Sequence, residues 1–71
     1  MTRREGIPVG TVYRLMKPHI GDHKLSVEAV EYLKIKLDEF IEEVTKKAVK
    51  AAEHAKRKTI RAEDIKMALA E

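Results

Sequence analysis

Cysteine, tryptophan, asparagine and glutamine are all missing from this chain. Without thiols there is no disulfide staple and no thiolate metal site. Serine occurs once, as Ser26, directly before a long helical pattern, where a hydroxyl serves as a cap rather than a nucleophile. Glycine is found three times and proline twice, too sparsely for a phosphate-cradling loop. His19, His23 and His54 have no ligand spacing for zinc. No apolar run approaches the roughly 20 residues of a membrane span. The first ten residues hold charges and a proline where a signal peptide would need an apolar segment. The acids lie on a helix face among lysines and form no isolated catalytic pair. These absences predict no enzyme activity, no cofactor, no metal, no small-molecule substrate and no membrane partner, in a soluble cytoplasmic protein. The lack of labile amides, with 38% charged residues, matches thermophile usage, where ion-pair networks gain value.

What is present fits one small domain. At 71 residues the chain buries too little of its own surface to be comfortably stable alone, and without staples the remaining route is oligomerisation. The net charge of +3 is mild, but it is unevenly placed. Residues 1–26 carry five basic side chains against two acids, and residues 56–71 five against three. Residues 27–55 carry five lysines against seven acids. A basic surface therefore requires the two ends to meet in space.

Three helices and no strand are expected. The first opens at Pro8, whose missing N–H costs nothing there. It continues through Val9, Val12, Leu15 and Met16. Pro18 should push Lys17 out of the α region and end it, leaving Pro18–Leu25 as a loop. The second starts from the Ser26 cap and runs without Gly or Pro to Ala55 or Lys56, about 45 Å at 1.5 Å per residue. Its apolar stripe includes Val30, Leu33, Leu37, Phe40, Ile41, Val44, Ala48, Ala51 and Ala52, widened by Tyr32, Ile35 and Val49. The spacing of Tyr13, Tyr32 and Phe40 marks them as core, not as a base-stacking platform. Glu42–Lys46, Glu43–Lys47 and Glu53–Arg57 are favourable i,i+4 pairs. A basic connector, Lys56–Arg61, leads to a third helix over Ala62–Ala70. Two short helices cannot cover so long a rod, and at about 25 cal/mol per Å² an uncovered stripe forfeits most of the stabilisation. A second copy crossing the first would cover it, which predicts an obligate dimer.

The run Ala52–Glu53–His54–Ala55–Lys56–Arg57–Lys58–Thr59–Ile60–Arg61–Ala62–Glu63–Asp64–Ile65 resembles the signature of archaeal histones and nucleosomal core histones. Ile7–Pro8–Val9–Gly10 and the Gly21…Lys24–Leu25–Ser26 stretch resemble them too. The resemblance implies an all-α histone fold, short helix, long helix, short helix, forming an intertwined dimer over residues 8–71, with residues 1–7 a flexible basic N-terminus. It implies an Arg57–Asp64 ion pair between loop and helix. It implies that the first loop of one subunit lies beside the second loop of its partner, so that the basic ends meet. The DNA-contact candidates are then Arg14, Lys17, Lys24, Lys56, Arg57, Lys58 and Thr59, gripping the double-stranded DNA backbone without sequence preference. Ala51, His54, Asp64 and Met67 match positions that join dimers into tetramers or longer chains.

The departures are specific. A few extra residues stand between Pro8 and Gly21, Pro18 interrupts what is usually helix, and Lys24 is a point charge where arginine is usual. Arg3 and Arg4 read as a frayed terminus or a supplementary phosphate contact. His54 reads equally as an ordinary surface histidine. The function implied is an architectural protein of the nucleoid that compacts, wraps or bridges DNA. The alternative is a histone-fold subunit of a transcription or chromatin complex acting mainly by heterodimerisation.

Overall fold

The computed structural model describes residues 6–70. Arg3 and Arg4, and most of the expected N-terminal arm, lie outside the described residues. Helices α1 (Val9–Met16), α2 (Val27–His54) and α3 (Ala62–Ala70) account for nearly all the regular structure, and no strand occurs among the described residues. The chain divides into two compact units, one ending at Glu39 and the other beginning at Phe40, with α2 continuing through the division.

In the first unit, α1 starts one residue later than expected. Pro8 is its cap, in extended conformation at φ −62° and ψ 140°. The Pro8 carbonyl accepts from Thr11 N–H at 3.1 Å and Val12 N–H at 3.2 Å, so the proline serves from outside the helix. Pro18 does not eject Lys17 from the helical region. Lys17 keeps φ −51° and ψ −47°, and its N–H donates to the Tyr13 carbonyl. Lys17–His19 then form a 3₁₀ turn, in whose first turn the absent proline N–H needs no partner. Part of the expected loop is therefore helical. Gly21, at φ +61°, makes the reversal that follows, a conformation open to glycine without penalty. Upstream, Ile7 N–H donates to Asp38 Oδ1 at 3.0 Å, and Lys34 closes on Asp38 Oδ2 at 2.7 Å. Gly6 adopts φ +55°, and a Cβ there would run into the Asp38 carboxylate.

Helix α2 is capped as its sequence demands: Ser26 Oγ accepts from Ala29 N–H at 3.1 Å. Glu42–Lys46 closes at 2.9 Å and Glu43–Lys47 at 3.9 Å. The expected Glu53–Arg57 pair fails for a geometric reason. The helix ends at His54, so Arg57 is no longer one turn above Glu53, and its guanidinium turns to Asp64 instead.

The buried apolar side chains of the described residues are Val12, Val30, Ala48, Ala52 and Ala68, three of them alanines. Tyr13, Tyr32 and Phe40, expected as core, are exposed, as are Ile35, Ile41 and Val49. Phe40 and Ile41 lie on the apolar side of α2, where a single chain has nothing large enough to cover them, whereas Tyr32 and Ile35 lie roughly 140–160° around the helix from the buried Val30 and Ala48, on its solvent side. An apolar cleft of about 220 Å³, bordered by Val12, Leu15, Met16, Leu33 and Leu37, opens on the first unit.

Candidate functional site

The signature segment builds a short loop from the backbone outward. Ala55 N–H reaches the carbonyls of Ala51 and Ala52. Lys56 then turns left-handed at φ 58°. Its N–H donates to Glu53 O and that of Arg57 to Ala52 O, both at 2.9 Å. This paired closure satisfies the last carbonyls of α2. It normally uses glycine, because a Cβ at that φ costs about 1 kcal/mol.

Arg57 is then held inward. Its Nη1 and Nη2 each donate at 2.9 Å to Asp64, and Nη1 also donates to the Thr59 carbonyl at 3.1 Å. Glu63 stands 4.0 Å away. Asp64, the third residue of α3, reaches back to accept Arg61 N–H at 2.8 Å, the returning half of a capping box. It is 1% exposed. The Arg57 hydrogen bonds foremost, then that of the Arg61 backbone, hold its carboxyl down to about 2 despite its burial. The same fork raises Arg57 above its ordinary value, further securing its charge. Arg57, through its backbone N–H and its side chain together, thus ties the end of α2 to the middle of the loop and the start of α3.

With Arg57 neutralised, the loop's remaining charge faces water. Lys56, Lys58 and Thr59 are exposed, and neither lysine has an ion-pair partner among the described residues. In the first unit, Arg14 is exposed and donates to Thr11 Oγ1 at 3.2 Å. The Lys17 ammonium lies 5.5 Å from the centroid of the Tyr13 ring. Lys24 is exposed between the Gly21 turn and the Ser26 cap. Among the other candidates, Ala51 is half-buried, His54 exposed at the last position of α2, and Met67 60% exposed on α3. Both oxygens of Asp64 are engaged within the chain.

Sequence reasoning passed over Arg61, whose backbone completes the Asp64 shell, and Asp38, which receives Ile7. The acid three residues after Arg61 is a capping-box spacing and could have exposed the first. The second links residues 31 positions apart and has no local signal. No cluster of metal-ligating side chains occurs among the described residues, and no helix there is long and apolar enough to cross a membrane.

Fold and signature together define a histone-fold chain. Residues 5–69 match the family of histone-like transcription factors (CBF/NF-Y) and archaeal histones, and the chain belongs to that family. It is 40% identical over 63 residues to probable archaeal histone 3 of Methanocaldococcus jannaschii, covering 89% of this chain and 92% of the relative. It is 38% identical, with the same coverage, to a subunit of archaeal histone HAN1 of Thermococcus zilligii. Similarity to the DNA-binding protein HmvA of M. jannaschii is 45% over 60 residues, 84% of this chain and 62% of that protein. The thermophile-like composition fits these sources.

Proposed function

We propose that this chain is an architectural protein that dimerises through α2 and grips duplex DNA by its phosphates, without reading sequence. The observation that carries this is the Arg57–Asp64 fork. It commits Arg57 to rigidity and leaves Lys58, Thr59 and Lys56 facing solvent on a preorganised turn. The names of the relatives, archaeal histones and a DNA-binding protein, support the same reading. Such chemistry suits a uniform anionic surface: lysines are point charges that meet phosphate from many directions. In the dimer, Lys24 of one subunit would come beside Lys58 of the other, with Arg14 and Lys17 from both first helices between the loop pairs. Ala51, His54 and Met67 remain the candidates for contacts between dimers. Its place is on the chromosome.

The test is a gel-shift series on duplexes of unrelated sequence across a salt range. Affinity should be alike for all of them and fall with salt, with a slope of about 0.9 for each phosphate neutralised. Lys58→Glu should weaken binding to every sequence equally while the protein stays folded. No shift at low salt defeats the proposal.

A second reading has its own support. The exposed apolar side chains of Phe40 and Ile41 would take a different histone-fold chain as readily as a copy, and one relative is itself named as a subunit. Sedimentation of the pure protein separates the two: a folded dimer favours the first, a disordered monomer rescued by another chain the second.

A further inference from the structure

Lys56 stands at the one described non-glycine position with positive φ. Both hydrogen bonds that close α2 there are made by backbone atoms, so the turn has no use for the lysine side chain. A glycine would make the same bonds without a Cβ penalty. The Lys56 ammonium has no ion-pair partner among the described residues, and the side chain is exposed. It borders a shallow cleft of about 450 Å³ with Glu53, Arg57, Lys58 and Ile60. A cation at a helix C-terminus is favoured by the dipole, but Lys58, two residues on and without an ion-pair partner among the described residues, already brings positive charge to that end. A strained residue kept where a relaxed one would close the same turn points to a role outside folding.

We propose that Lys56 is a phosphate-gripping residue held at the closing turn of α2 at the expense of stability. The proposal rests on the duplex-DNA reading above and adds a trade-off to it: replacing this lysine with glycine or asparagine should make the protein sturdier and its grip weaker. Ordinary surface lysines show no such opposition, because their loss leaves stability almost unchanged.

The experiment compares Lys56→Gly, Lys56→Asn, Lys56→Ala and Lys56→Arg in the full chain. Glycine and asparagine tolerate the left-handed conformation, whereas alanine does not. The Gly and Asn variants should therefore melt higher than both the parent and the Ala variant, by a few degrees for a domain of this size. All three neutral variants should bind mixed-sequence duplex several-fold more weakly than the parent, with a salt slope shallower by about 0.9 for each Lys56 removed. Lys56→Arg should bind like the parent. If the Gly and Asn variants bind as tightly as the parent, the lysine does not touch DNA and the proposal is overturned. If they melt no higher than the parent, the turn is unstrained and the trade-off is overturned. A parent protein that fails to shift DNA at low salt removes the DNA-binding reading itself, a different result from either.

Discussion

Arg57 and Asp64 meet in a two-point fork, Nη1 to Oδ2 and Nη2 to Oδ1, each 2.9 Å, across seven residues of one chain. The carboxylate is buried and the guanidinium partly so. The two are unequal partners: Asp64 without Arg57 is a sequestered charge, while Arg57 without Asp64 can turn to water. Removing one member of such a pair costs more than removing both. Arg57→Ala should therefore lower the melting temperature by several degrees. Asp64→Ala should lower it too, and the double variant should fall well short of the sum. Additive losses in this double-mutant cycle would mean that the fork contributes nothing as a pair. Arg57→Lys should lie between, since an ammonium keeps the charge but cannot make both bonds and still reach the Thr59 carbonyl.

The same carboxyl predicts an acid limit. In the folded chain Asp64 is held to about 2, against 3.8 for a free side chain. Between those values the unfolded chain binds more protons than the folded one, so stability rises with pH there. The contribution is complete above about pH 5 and is lost as the pH falls through 4 towards 2. Asp38, lowered chiefly by its hydrogen bond from Lys34 and then by Ile7 N–H, acts in the same direction. Urea midpoints measured from pH 2 to pH 6 should climb and then level off. In Asp64→Asn the climb should flatten, leaving a smaller residue from Asp38. A parent profile that is flat over this range would contradict the fork's hold on Asp64.

Much of this architecture is legible in the residues, and the rest fails for identifiable reasons. The Ser26 cap, the unbroken α2 and the span of α3 follow from local rules about hydroxyls, apolar period and first-turn acids. The errors cluster where a local preference met a stronger neighbour. Pro18 disfavours a helical Lys17, yet the Lys17 N–H bond to Tyr13 and the following 3₁₀ turn hold it there. Glu53 and Arg57 have ion-pair spacing only if the helix persists, and the left-handed Lys56 ends it first. Tyr32 lies across α2 from the buried Val30 and Ala48, so its spacing belongs to the solvent side, while Phe40, on the stripe, is left uncovered by a single chain as so long a rod requires. The Ile7–Asp38 contact could not be read at all, because nothing near either residue announces the other.

Capping offers a prediction confined to one end of α2. Ser26 Oγ is the acceptor for Ala29 N–H, and alanine leaves that donor to water. Ser26→Ala should cost about 1 kcal/mol, with Ser26→Asp close to the parent. Hydrogen exchange should quicken at Ala29 and its neighbours, while the loop after His54 stays protected. Equal loosening at both places would show that the cap acts through global stability and not locally.

Phe40 on α2 decides whether the apolar stripe is an interface. Phe40 is 51% exposed in the single chain, so a monomeric fold would lose little on its replacement. In a dimer crossing at α2 the same ring is buried, and each subunit forfeits about 1.5–3 kcal/mol of apolar burial when it is removed, beyond the cost of placing a charge there. Phe40→Glu should therefore sediment as a monomer or fail to fold, and its melting temperature should fall by much more than that of an exposed control such as Glu42→Ala. The parent's melting temperature should rise with protein concentration, since folding and association are then one equilibrium. A Phe40→Glu protein that keeps the parent's sedimentation and stability would show that α2 does not dimerise through this ring. The lysines of the two loops would then have no geometry that brings them together on one stretch of duplex.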